Sequence, residues 1–298
     1  ISQYFSNLSN KSKNSNSIPA GINLNLQKVK DLRYGENPHQ KGGLYRVNGI
    51  QGIISDEQLN GEEMSYCNYV DAEAAVKGVN LFRKHAVSIV KHANPCGLAS
   101  DQSQTEAFVK AVSGDPISAF GGIVGFNSEV EEETALLLEK NFFELIIAPS
   151  YSDKSLEILK RKKRLRIIKS ILNDNEEFVM RSLSGDFLVQ EKDSVRDNWA
   201  DYEIVTKVKP SSREVEDLQF AYKVCSLIKS NAIVLVKDNH VTGIGAGQPN
   251  RLNSVKIACD VAGENSKGSV LASDAFFPFV DGLKIAIASG VKSVIQPG

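Results

Sequence analysis

Long apolar runs, paired cysteines and an excess of either charge are all missing from this sequence. No run of eighteen apolar residues occurs, so no segment reads as a membrane-spanning helix. The 35 Lys and Arg residues are balanced by 36 Asp and Glu. The resulting net charge of -1 creates no global field for nucleic acid or an anionic membrane. Cys67, Cys96, Cys225 and Cys259 are scattered and form no C-x-x-C. That excludes a disulfide framework and a zinc knuckle, and fits a reducing, cytoplasmic setting. The histidines, His39, His85, His92 and His240, show no H-x-x-x-H spacing, and no G-x-x-x-x-G-K-[ST] phosphate loop is present.

What remains is an ordinary globular composition, 42% hydrophobic and 24% charged over 298 residues. That length predicts one large domain or two medium ones. The opening ISQYFSNLSNKSKNSNS lacks the apolar centre of a signal peptide and reads as a linker. The chain closes on IQPG directly after the strand-like VKSVIQ, so further sequence is expected at both ends.

Between these ends, helical and strand patterns alternate. DLRYGENPHQ is turn-rich and KGGLYRV alternates like a strand. Residues 69–85 carry apolar residues at helical spacing, followed by the buried strand AVSIV and the polar turn KHANPCG. TEAFVKAV and EVEEETALLLEKNF read as helices, and GGIVGFN and ELIIAPSY as strands. The basic KRKKRLRIIK reads as a helix end running into a strand, and residues 174–205 as a polar separator. Beyond it, residues 212–230 form a helix, and AIVLVKDNHVTGIGAG is a hairpin turning at KDNH. A helix at RLNSVKIACDVAGENS, a strand, the aromatic turn SDAFFPF, a helix and a last strand complete the chain. The fold class is α/β with a largely internal sheet. Both halves run helix, strand, polar turn, strand.

The KHANPCG turn raises the first chemical question. A zinc deaminase needs His or Cys two residues before Glu, then P-C-x-x-C. Here Asn94 stands for the Glu and Ala99 for the second Cys, so the ligand set cannot be built. Cys96 reads either as a nucleophile activated by Gly97 and a following helix N-terminus, or as a small buried residue beside a Pro turn. Lys91-His92 reads either as an acid–base pair or as a surface cation beside a capped histidine. A cation beside an imidazole favours the neutral ring, which accepts a proton. GIGAG fails as a dinucleotide fingerprint because it lies in or at the end of a hairpin strand, with Gln-Pro next. Its glycines suit close approach to a ligand or another backbone. Arg33 and Arg251 are each a candidate phosphate contact or a surface salt bridge. SDAFFPF offers an aromatic wall or a hydrophobic plug, and Asn231 stands at a strand mouth where its amide could orient a carbonyl.

LRYGENPHQ, KHANPCG, DPISAFGGIVGFN, IIAPSY, SNAIVLVKDNHVTGIGAGQPNR and LASDAFFPF follow one another in this order. From about residue 24 to 298 the set resembles the C-terminal transformylase domain of the bifunctional AICAR transformylase/IMP cyclohydrolase family of purine biosynthesis, bacterial type. The resemblance implies two cytidine-deaminase-like α/β subdomains without zinc, at 24–200 and 201–298, after a 1–23 linker from a missing N-terminal cyclohydrolase domain. It implies formyl transfer from 10-formyltetrahydrofolate to the 5-amino group of AICAR, with no metal, in a homodimer whose sites lie at the interface. By the same resemblance Lys91 and His92 are the catalytic pair and Asn231 orients the formyl group. Arg33, Tyr34, Gly121, Glu144 and Arg251 hold AICAR. Phe120, Leu252, Phe276, Asp281 and Gly298 line the folate side, where a flat pterin accounts for Phe276 and Phe277.

Two departures stand out. Val280 replaces an Arg found in many relatives, and the family's C-terminal segment is missing, so weaker transfer is expected. The rival reading is a non-catalytic nucleotide-binding or dimerisation domain. The co-occurrence of Lys91, His92 and Asn231 argues against it.

Overall fold

A computed structural model describes residues 18–48, 50–171, 178–193 and 202–297. Strands β1 (Leu26–Leu32) and β2 (Gly42–Val47) pair antiparallel as a separate ribbon, and the turn-rich 33–41 segment joins them. Strand β3 (Ile54–Asn60) leads to helix α1 (Tyr66–Val79). Ser65 caps α1 in a capping box with Asn68, a device worth about 1 kcal/mol. The 69–85 pattern predicted a longer helix. It ends at Asn80, and residues 85–91 already belong to strand β4 (His85–Lys91).

The predicted KHANPCG turn is tighter than its Pro and Gly suggest. Only His92 and Ala93 turn, and Asn94 to Gly97 already lie on strand β5 (Asn94–Asp101). Helix α2 (Gln104–Gly114), a helical turn at Pro116–Ala119 and strand β6 (Ile123–Phe126) follow. Then come α3 (Glu132–Lys140), β7 (Leu145–Ala148), α4 (Asp153–Lys160) and β8 (Arg166–Ser170). The basic run bridges α4 and β8 as expected, and Arg161, Arg164, Arg166 and Lys169 pair with Glu139, Glu62 and Glu57. In the stretch read as a polar separator, β9 (Phe178–Ser182) and β10 (Phe187–Glu191) form their own hairpin.

The second half contains α5 (Ser212–Cys225), β11 (Ile233–Lys237), β12 (His240–Gly245), α6 (Arg251–Ala262), β13 (Val270–Ser273), α7 (Val280–Ala288) and β14 (Ser293–Ile295). Among the described residues one mixed sheet of ten strands runs in the order β14-β13-β11-β12-β5-β4-β6-β7-β8-β3. Strands β4, β6, β7, β11 and β13 are buried almost throughout, so they read as unbroken apolar runs, the mark of a sheet covered on both faces. No helix among the described residues is long and apolar enough to cross a membrane.

The halves repeat with fixed spacing. In β4–β5, Lys91 faces Asn94, Val90 faces Pro95, a bulge follows, and Ile89 faces Gly97. In β11–β12, Lys237 faces His240, Val236 faces Val241, a bulge follows, and Leu235 faces Gly243. The interval from Lys91 to Lys237 equals that from Gly97 to Gly243 and from the cap Ser65 to the cap Ser211. The two hairpins meet where His240 of β12 pairs with Ala99 of β5. The glycines of each second strand serve helix packing. A Cβ on Gly97 would lie 2.0 Å from the Ala111 carbonyl of α2, and one on Gly243 would lie 2.2 Å from the Ala258 carbonyl of α6.

Candidate active site

Strands β4 and β12 both run antiparallel to β5, which lies between them. Their C-terminal ends, at Lys91 and Gly245, therefore share one edge of the sheet. Ile233 pairs with Gly245 and brings Asn231 to the same edge. Two groups of side chains gather there.

The first group surrounds the β4–β5 turn. His92 and Ala93 have φ of 53° and 59°, the left-handed pair that a two-residue hairpin demands. The His92 side chain stands exposed at the tip, and Lys91 is half-buried. Lys91 Nζ donates to the Phe120 carbonyl at 2.9 Å, which ties the turn to the segment before β6. The Gly121 amide donates to the Phe142 carbonyl, and Phe120 and Phe142 face each other at 5.1 Å with both rings largely in water. Gly121 itself has φ 73°, a conformation that suits glycine.

Helix α1 organises this group from behind. Asn68 Nδ2 donates to Glu144 Oε2 at 3.4 Å, and Asp71 Oδ1 accepts the Ala93 amide at 2.6 Å. Burial pushes the Asp71 carboxyl above its ordinary range, opposed by the Ala93 amide, the nearby charge of His92 and the His92 amide. Arg33 and Tyr34 lie in the loop after β1, with the guanidinium 5.8 Å from the tyrosine ring. Cys67 Sγ lies 3.9 Å from the Glu36 carbonyl, which docks that loop on the first turn of α1.

The second group centres on Asn231. Its Nδ2 donates to the Gln248 carbonyl at 2.7 Å, and its Oδ1 accepts from Arg251 Nη2 at 2.8 Å. Arg251 Nη1 donates to Ser273 Oγ at 2.8 Å and forms an ion pair with Asp274. Only 11% of the Arg251 side chain and 19% of Asp274 remain exposed. Burial raises the Asp274 carboxyl, but hydrogen bonds from Arg251, Ser230 and Ala232 outweigh it and hold the group below its ordinary range. Leu252 lies in the first turn of α6, its amide bonded to the capping Asn250 Oδ1. Phe276 is 59% exposed, whereas Phe277 packs inward beside Val255 and Gly282. Of the two rings that the resemblance gives to a pterin, Phe276 thus stands in solvent and Phe277 against the core. Asp281 is exposed in the first turn of α7 and accepts its neighbour's amide. Gly298 lies outside the described residues. No hydrogen bond or ion pair links the two groups among the described residues.

Cys96 does not meet the requirements of a nucleophile. It sits within β5, no helix N-terminus follows it, and burial pushes its thiol up to about 12. Among the described residues, no three His, Cys, Asp or Glu side chains form a group able to hold a metal ion.

The model of the AICARFT/IMPCHase bienzyme family matches residues 1–261. The chain belongs to this family. It is 45% identical over 292 residues to the bifunctional purine biosynthesis protein PurH of Desulfitobacterium hafniense, covering 96% of the chain and 56% of that protein. The PurH of Prochlorococcus marinus is 47% identical over 284 residues, covering 91% and 54%. The Dictyostelium discoideum protein of the same name is 44% identical, covering 91% and 52%. The chain spans about half the length of the curated relatives it matches.

Within this member of the AICARFT/IMPCHase family, sequence reasoning overlooked Asn68, Asp71 and Asp274. The usable signal was faint: one of two acids, Asp71 and Glu73, in the mainly apolar stretch YVDAEAAV, and an Asp before an aromatic turn.

Proposed function

We propose that this chain carries the formyltransferase half of a bifunctional purine-biosynthetic enzyme, moving a formyl group from 10-formyltetrahydrofolate to the 5-amino group of AICAR. The observation that carries the reading is the shared end of the sheet: a left-handed turn presents Lys91 and His92 on β4, and three strands along, at the same end, the mouth of β11 presents Asn231. Ring closure to IMP would belong to the portion of the relatives that this chain does not span.

The residue types suit the reaction. The AICAR amine is a poor nucleophile because its lone pair is delocalised. As its nitrogen bonds to the formyl carbon, His92 accepts the departing amine proton. The carbonyl oxygen becomes an oxyanion, and the Lys91 ammonium and the Asn231 amide answer that charge. Collapse breaks the bond to folate N10, which takes up a proton. Lys91 must release the Phe120 carbonyl to do this, and the exposed Phe120 then becomes available to the folate side together with Phe276. Arg33, Tyr34, Gly121 and Glu144 collect around the amine side. Arg251 acts on the nucleotide through the network it shares with Asn231 and Asp274.

We further infer two cytidine-deaminase-like subdomains, divided near residue 200. The repeated helix–hairpin–helix plan supports them. A homodimer is supported by apolar side chains left in water beside the site, among them Phe120, Phe279 and Val280. Four free cysteines support a cytoplasmic setting.

Tetrahydrofolate release, followed by absorbance with both substrates, tests the reading. Lys91→Ala and His92→Ala should each lower kcat by about 100-fold or more. Rates within a few-fold of the parent in both variants would sink it.

A further inference from the structure

Asp71 approaches the catalytic turn from behind. It sits half-buried on α1 and accepts the Ala93 amide at 2.6 Å, with the His92 amide near enough to favour its charged form. Neither residue of that turn is glycine, and the left-handed conformation costs a non-glycine residue about 1–2 kcal/mol. Such strain persists only where the surroundings over-determine it.

The second half repeats the device without the chemistry. Asp217, at the matching position of α5, accepts the amides of Asp238 and Asn239 at 3.0 and 2.7 Å. Those two residues have φ of 55° and 56°. Asp and Asn adopt this conformation readily, so that turn asks little of its carboxylate. In the first half, His92 and Ala93 depend on theirs.

We propose that Asp71 is a positioning residue for formyl transfer: by holding the Ala93 amide, it sets the direction in which Lys91 and His92 leave the hairpin. It touches no substrate itself. This inference rests on the formyl-transfer reading, and its effect belongs in kcat, because a misplaced base still permits the nucleotide to bind.

The test compares Asp71→Ala, Asp71→Asn, Asp71→Glu and Asp217→Ala by kinetics and by amide hydrogen exchange. Asp71→Ala should lower kcat by about 100-fold, the scale of a displacement near 1 Å, with KM for AICAR within about three-fold. Asp71→Asn keeps one acceptor oxygen and should recover kcat to within about ten-fold of the parent. Asp71→Glu keeps the charge but moves it by one methylene. It should lose about ten-fold in a chain that stays folded, so the idea survives even if Asp71→Ala unfolds. Asp217→Ala should speed exchange at residues 238–239 and leave kcat within about two-fold. Exchange at Ala93 should rise in Asp71→Ala and stay at the parent's rate in Asp217→Ala, whether or not the protein turns over. Unchanged exchange there, or kcat falling no further in the Asp71 variants than in Asp217→Ala, overturns the proposal. A parent protein that folds but transfers no formyl group overturns the functional reading instead, and exchange still decides what Asp71 holds.

Discussion

The β4–β5 and β11–β12 hairpins share their register, their bulge, the glycine after the bulge and the aspartate that holds their turn. They differ in which residues make the turn. The second hairpin uses Asp238-Asn239, residues suited to positive φ, and the last strand residue Lys237 and the turn residue Asp238 are spent on structure. Lys237 Nζ reaches the Lys267 carbonyl, and Asp238 pairs with Arg213. The first hairpin uses His92-Ala93, of which Ala93 fits that conformation poorly, and leaves the imidazole in water. One scaffold therefore carries a relaxed turn at one edge of the sheet and a strained one at the other. The strained turn lies where Asn231 and Arg251 also gather, the usual location of stored backbone strain.

The shared frame can be broken first, with the largest effect. A Cβ at Gly97 or Gly243 would meet a helix carbonyl at 2.0 or 2.2 Å, and neither carbonyl can move without its helix. Gly97→Val and Gly243→Val should each cost about 3 kcal/mol or more, read from urea melts. A severe loss from one and tolerance of the other would mean that the two hairpins are not mechanical equivalents.

A turn exchange sharpens the contrast with a smaller change in stability and a clear functional sign. The double variant His92→Asn/Ala93→Gly places residues that favour positive φ in the first turn. It should gain about 1–2 kcal/mol, while formyl transfer is lost with the imidazole. The reverse substitution, Asn239→Ala, should cost about 1 kcal/mol and leave transfer intact. Equal stability in all three proteins would show that the surroundings, and not the turn residues, set the cost.

The elements were legible where local signals agreed with the fold. KDNH announced its hairpin through Asp and Asn, and the capped helices announced themselves through periodicity. The first hairpin was harder to read because Pro95 and Gly97 look like turn punctuation. In the fold, Pro95 sits beside a bulge, where a missing amide is tolerated, and Gly97 exists to admit α2. Helix α1 was overread because Leu81 and Phe82 continue its apolar spacing after Asn80 has ended it. The candidate site was read as separate residues carried by resemblance. Its wiring was not, since Asp71 to Ala93, Asn68 to Glu144 and Arg251 to Asp274 are contacts between residues distant in sequence, and periodicity carries no record of them.

The smallest expected effect concerns the bulges. Cys96 and Thr242 are the residues that each hairpin leaves unpaired, at matching positions. Cys96 Sγ lies 3.4 Å from the Ile89 carbonyl, and Thr242 Oγ1 is buried without a hydrogen-bond partner among the described residues. A thiol beside the His92-Ala93 turn invites a chemical role, but a group pushed up to about 12 by burial remains protonated and unreactive at neutral pH. Cys96→Ala should therefore keep kcat within about two-fold and cost about 1 kcal/mol in lost packing. Thr242→Val removes an unsatisfied hydroxyl at constant shape and should be neutral or stabilising by up to about 1 kcal/mol. If Cys96→Ala instead abolished transfer while Thr242→Val proved neutral, the bulge would be a structural device in one half and a chemical one in the other, and the difference between the hairpins would extend beyond their turns.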